Sequence, residues 1–199
     1  MRTRRRQQAV TSRLQDIQRL RRPLLLRRCP SWAIRSARQM AELIPAYVLH
    51  RRLYGDNSLL LEVFTLEEGR IPLIARGAAG GKSRRRGMLQ PFVPLLLNWR
   101  GRGSVKTLAS TETASTAHVL KGRFLYSGFY VNELIMRLLP RNEPIPLLFG
   151  HYRATLDRLG QERPLEETLR HFELRLLEEL GYAPDLKREA SGRPLSPEE

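Results

Sequence analysis

The sequence has a single cysteine, Cys29, in 199 residues. An intrachain disulfide is therefore excluded, and so is a Cys-rich structural zinc site. Such usage fits a reducing compartment. Long apolar runs are missing too. The longest leucine runs, at 24–26, 59–61 and 95–97, fall far short of the roughly 18–20 residues of a membrane-spanning helix. No Ser/His/Asp or Cys/His set stands out. Glu167 and His171 are spaced i, i+4 with His151 nearby in sequence, but no third metal ligand accompanies them, and a surface helix pair is the simpler reading. The segment Gly81-Lys82-Ser83 invites comparison with a phosphate-binding loop. That motif needs glycine at position 76, where Arg76 stands, and it needs a helix after the serine, which Arg84-Arg85-Arg86-Gly87 and Pro91 discourage. The expectation is a protein without catalytic residues, metal, cofactor or membrane span.

Basic residues are abundant and unevenly spread. The formal net charge is +15. Residues 1–40 contribute +11, with 12 arginines against Asp16 alone; residues 45–125 contribute +8; residues 126–199 contribute −3. A folded module with such an excess repels itself, and a polyanionic partner relieves that repulsion. Nucleic acid is the first candidate. Residues 1–40 read as a disordered basic extension, with a transit peptide or a DNA-binding arm as alternatives. Met40 would serve as an alternative start. The lack of an apolar stretch after the arginines argues against secretory and twin-arginine signals.

From 45 onward the pattern is β-like. Strands are expected at 45–50, 59–65, 70–76 and 92–99, and from 105. Leu59, Leu61 and Val63 alternate onto one face. Pro72 lacks a ladder donor, which favours an edge or a bulge. Five strands in about 65 residues suit a small closed barrel. After His118 the period becomes helical. One helix is expected over 121–138. A second carries Leu148, Tyr152, Leu156 and Leu159 and closes at Gly160. A third starts at Pro164, carries Leu165, Leu169, Phe172, Leu176 and Leu180, and is capped by Gly181. The fold class is α+β: a barrel over 41–118, a helical domain over 119–186, and a loose tail over 187–199.

The candidate binding residues lie in the basic β section. Residues 77–90 read as a mobile Gly/Arg finger carrying Lys82, Arg84, Arg85 and Arg86. Around it stand Arg51, Arg52, Arg70, Arg76, Arg100, Arg102 and Lys106. Guanidinium and ammonium groups hold phosphates without reading sequence. Trp99, beside Arg100, is either a base-stacking residue or a packing residue.

With these residues in place the chain resembles the RecO family of bacterial recombination mediators. The resemblance rests on ordered segments: Tyr47 to Arg52, Ser58 to Thr65, Gly69-Arg70, Ala75 to Ala78, Lys82-Ser83, Leu89-Gln90-Pro91-Phe92, Trp99 to Gly103, and Lys106-Thr107-Leu108 with Glu112. It continues through Gly128 to Leu134, Arg137 to Pro140, Leu148-Phe149 and Phe172 to Tyr182. It implies an N-terminal OB-fold β-barrel followed by a helical domain. It also implies binding of single- and double-stranded DNA, annealing of complementary strands, and cooperation with RecR and single-strand-binding protein to load RecA. A cytoplasmic, nucleoid-associated location follows. Residues 1–39 lie outside the family pattern. At Glu199 the chain stops where relatives continue, some with a Cys-rich zinc motif, so the helices are expected to leave apolar surface uncovered. Two other readings stay open: an RNA- or ribosome-associated OB protein, and a basic scaffold for an acidic protein tail.

Overall fold

The computed structural model describes residues 43–81 and 83–183. The extension at 1–40, Lys82 and the tail at 187–199 lie outside the described residues, as does the side chain of Arg84. Five strands close a barrel in the order β1-β2-β3-β5-β4. They are β1 (Ile44–Tyr54), β2 (Ser58–Thr65), β3 (Gly69–Ala75), β4 (Leu95–Arg100) and β5 (Lys106–Thr113). Strand β1 pairs antiparallel with both β2 and β4, and β3 meets β5 in parallel through Leu73 and Ile74. This is the five-stranded Greek-key barrel of the OB-fold. The expected alternation holds: Leu59, Leu61 and Val63 point inward with Val48, Ile71, Leu73, Leu95 and Leu97, as period-2 patterning requires. Pro72 sits mid-strand, but β5 covers β3 only at Leu73 and Ile74, which leaves an open edge beside the proline.

Strand β1 runs four residues past the stretch expected at 45–50. The register between β1 and β2 slips between Val48 and His50. That bulge reverses the facing of every later residue. Tyr47, before it, and Leu49, the skipped residue itself, lie in the core shared with the helices. Beyond it, Arg51 lies opposite the interior Leu61, and Arg52 opposite Leu60.

Among the described residues, four helices follow the strands in sequence or interrupt them. A five-residue helix, α1 (Arg84–Met88), lies between β3 and β4, and α2 (Gly122–Leu138), α3 (Pro146–Gly160) and α4 (Leu165–Glu179) come after β5. Helix α1 corrects the expectation that none would follow Ser83. The tertiary frame explains it: Ala78, Ala79 and Leu89 on either side are buried in the barrel core, so the segment between them is drawn into one turn. The phosphate-loop comparison still fails, because Arg76 occupies the required glycine position.

The outer face of β1 and β2 and the three longer helices share one apolar core. Tyr47 and Phe64 meet Phe149 and Tyr152 with ring centroids 5.1–5.9 Å apart, within the range where aromatic pairs add to simple burial. Leu148, Tyr152, Leu156 and Leu159 are fully buried, as their 4-4-3 spacing requires. Gly128 lets α2 approach this seam; a Cβ there would fall 2.6 Å from Leu120 and 2.9 Å from Phe92. On α4, Phe172 and Leu176 are buried, and Leu165, Leu169 and Leu180 are partly covered. Among the described residues, the apolar surface that the helices leave uncovered lies largely on α2, at Tyr126, Phe129, Tyr130 and Leu138. Among the described residues, no helix is long and apolar enough to cross a membrane.

Candidate nucleic-acid interface

The barrel topology sorts the basic residues onto two opposite ends. The β1–β2 hairpin and the β3–β4 connection share one end, where the Ala79 N–H donates to the Asn57 carbonyl at 3.2 Å. The β2–β3 and β4–β5 hairpins share the other, where Lys106 forms an ion pair with Glu68. The seven residue steps of β2 between them span about 23 Å at ~3.3 Å per residue.

At the first end, here termed the loop end, Arg52, Arg76, Arg85 and Arg86 are all exposed. Arg85 donates to the Ala109 carbonyl at 3.5 Å, and Arg86 to the Ala79 carbonyl at 3.2 Å. Each guanidinium carries five donors, so these contacts orient the groups and leave most donors open. Among the described residues none of the four has a carboxylate within ion-pair distance. Arg84 belongs to the same helix. Arg51 has a different role. With its interior facing, it donates from Nη1 to the carbonyls of Arg86 (3.2 Å) and Leu89 (3.5 Å). Burial, aided by the nearby Arg86 charge, pulls its pKa below the ordinary arginine value. Arg51 is thus a brace that holds α1 against the barrel mouth.

The second end is largely self-compensated. Lys106 pairs with Glu68 and sits 5.6 Å from the centroid of the Trp99 ring. Trp99 is half-buried and packs against the barrel core, which favours the packing reading of this residue. Arg70 is turned toward the helices. Its Nε and Nη2 donate to the Leu139 carbonyl at 3.1 and 2.8 Å, and its Nη1 lies 3.4 Å from Glu62. Glu62 also pairs with Arg141. Among the described residues, only Arg100 and Arg102 stand exposed here without such a partner. Glu167 pairs with Arg158 at 2.7 Å rather than with His171.

Sequence reasoning missed the two carboxylates, Glu62 and Glu68, that occupy neighbouring cations. Lys106–Glu68 and Arg141–Glu62 join residues 38 and 79 positions apart, and Arg70 reaches Glu62 only across the β2–β3 hairpin. It also missed Lys121 and Arg123, both exposed at the start of α2.

Two family models match the chain in the order of its architecture. The one described as Recombination protein O N terminal matches residues 40–117, and the one described as Recombination protein O C terminal matches residues 122–198. The chain belongs to the recombination protein O family. The first model covers the barrel and the second begins at α2. Curated relatives of the family agree. A protein named DNA repair protein RecO from Methylococcus capsulatus is 51% identical over 154 residues, covering 77% of this chain and 64% of the relative. Its namesake from Pseudomonas paraeruginosa is 48% identical over 152 residues, covering 76% and 64%. That from Haemophilus influenzae is 47% identical over 156 residues, covering 78% and 66%. The chain spans just under two thirds of the length of these recombination protein O relatives.

Proposed function

We propose that this chain acts in DNA repair as a recombination mediator. It binds single- and double-stranded DNA through the loop end of its barrel, anneals complementary strands, and helps RecR and single-strand-binding protein to load RecA. Its place of action is the bacterial cytoplasm, at the nucleoid. One observation carries this reading: four exposed arginines, Arg52, Arg76, Arg85 and Arg86, stand at one end of an OB barrel with no carboxylate partner among the described residues, in a chain whose relatives bear the name DNA repair protein RecO. Guanidinium groups engage phosphates by charge-assisted, often bidentate bonds, and such contacts position a strand without selecting its sequence. Neutralised strands repel each other less, which favours pairing of complements. No step in this role requires a covalent intermediate.

A salt titration of labelled single-stranded and duplex oligonucleotides tests it. If about six phosphates are neutralised, log K falls against log salt with a slope near −4 on single strands and near −5 on duplex. Alanine at Lys82, Arg84, Arg85 and Arg86 together flattens the slope, whereas alanine at Arg153 and Arg158 leaves it intact. A flat response of the unaltered chain refutes the electrostatic basis. An annealing assay with complementary oligonucleotides tests the strand-pairing step directly, and a preference for RNA in competition would redirect the assignment.

A further inference from the structure

Helix α2 carries a row of aromatic side chains on its outer face. Tyr126 is 76% exposed and Phe129 is 46% exposed. Three residues apart, they share one side of the helix. Tyr130 lies beside them, its hydroxyl held by Glu173 at 2.8 Å. An exposed aromatic row costs free energy in water and serves best when a flat apolar ligand covers it.

The surroundings point to the ligand. Below Phe129 runs an open groove of about 560 Å³, whose opposite wall is formed by Arg51, Gln90 and Pro91. Gln90 Nε2 donates to the Arg86 carbonyl at 3.0 Å, so this wall is the flank of the loop end itself. Lys121 and Arg123 stand exposed at the N-terminal end of the row. The groove's own carboxylate, Glu133, is paired with Arg137 at 2.7 Å. Cations therefore flank the aromatic row, with Lys121 and Arg123 before it and Arg51 across the groove, and the two acids beside it, Glu133 and Glu173, are paired with Arg137 and Arg170. Alternating charge for phosphates and rings for bases is the chemistry of single-strand binding.

We infer that Tyr126 and Phe129 form a stacking platform for the bases of a single strand that passes from the loop end of the barrel through this groove onto α2. The inference rests on the DNA-binding reading above and adds to it a strand direction and a preference. A duplex keeps its bases stacked on one another and cannot use the platform. The platform thus favours single strands over duplex.

The experiment uses the full chain with a labelled oligothymidine and a labelled duplex of equal length. Tyr126→Ala and Phe129→Leu each weaken single-strand binding roughly 5- to 100-fold, the range typical of one lost base-stacking contact, and leave duplex affinity and both salt slopes unchanged. Tyr126→Trp retains binding. Tyr126 is exposed enough that its alanine variant keeps the thermal midpoint, and leucine at 129 preserves apolar contact with Phe92, whose ring lies 5.1 Å away. Unchanged single-strand affinity in both variants overturns the inference, as does an equal loss on duplex. Loss of self-association in sedimentation with DNA binding intact also overturns it and assigns the row to a second copy. If the loop-end arginine variants weaken binding while the aromatic variants do not, only the platform fails. If the unaltered chain shows no salt-dependent binding, the DNA-binding reading fails and the platform with it.

Discussion

The Tyr152 hydroxyl donates to Asn132 Oδ1 at 2.7 Å, and Asn132 Nδ2 donates in turn to the Leu49 carbonyl at 2.9 Å. This chain of bonds joins α3 to α2 and α2 to the bulge in β1. Leu49 is the residue that the β1–β2 register skips, and Asn132 supplies a partner for its carbonyl. Both side chains are buried, and burial pushes the Tyr152 phenol well above its ordinary pKa, with a smaller contribution from Tyr47.

Tyr152→Phe should therefore cost about 1–2 kcal/mol, the penalty for leaving one buried acceptor unpaired. Asn132→Ala strands both the Leu49 carbonyl and the Tyr152 hydroxyl and should cost more, about 2–4 kcal/mol. Urea unfolding followed by circular dichroism measures both. A neutral Asn132→Ala would show that water replaces the side chain and that the bond chain is not what holds the helices to the barrel.

Gly69 is expected to tolerate no side chain. Its φ is +66°, and a Cβ would lie 1.9 Å from the Glu143 carbonyl oxygen. The left-handed backbone alone costs a non-glycine residue about 1 kcal/mol or more, and the clash with a neighbouring backbone adds to it. Gly69→Ala should lower stability by at least about 2 kcal/mol. Gly55, also at positive φ but with nothing within 4 Å of the added atom, is the control and should lose less.

Arg70 and Arg76 look alike in sequence and should behave differently. Arg70→Ala removes two donors to the Leu139 carbonyl at the end of α2 and one to Glu62 on β2. It should lower the thermal midpoint and leave the slope of log K against log salt close to that of the unaltered chain. Arg76→Ala should leave the midpoint unchanged and make the slope shallower by about 0.7–0.9, one phosphate contact. The reverse pattern would place the DNA at the other end of the barrel.

His118 gives the fold a dependence on pH. Its Nδ1 lies 3.4 Å from Asp157 and its Nε2 3.5 Å from the Tyr47 hydroxyl. Burial lowers its pKa; Asp157 opposes that shift, while Arg153 adds to it. Tyr47 is itself pushed up to about 12, chiefly by burial. Because the folded pKa is depressed, the unfolded chain binds more protons between that value and about 6.5, and stability falls as pH drops through this window. Above about 6.5 the contribution is complete. His151 is lowered too, first by burial and then by Arg175, and acts in the same direction. Thermal midpoints from about pH 8 to about pH 5 should fall less steeply in His118→Gln than in the unaltered chain. Parallel curves would remove His118 as a source.

Much of the architecture was legible from residue order. Leu59, Leu61 and Val63 announced an inward face because a strand alternates sides at every residue, and the core of β2 follows that rule. The 4-4-3 spacing of Leu148, Tyr152, Leu156 and Leu159 described a buried helical stripe for an equally local reason. Gly181, with φ of +80°, ends the last helix region as its position suggested. The basic character of the barrel section needs only counting.

What the basic residues do was decided in three dimensions. Arg51 and Arg52 are neighbours, yet one braces α1 and the other faces solvent, because a bulge two positions earlier shifts the facing of everything after it. Arg70, Lys106 and Trp99 were drawn into internal contacts by partners 69, 38 and 7 positions away: the Leu139 carbonyl, Glu68 and Lys106 itself. Closure of the barrel brings Glu68 and Trp99 to Lys106, and docking of α2 brings the Leu139 carbonyl to Arg70. Local composition sets the sum of charge and the period of burial, since both are properties of residues and their near neighbours. Which charges remain available to a polyanion depends on contacts between distant segments, and only the tertiary fold makes them.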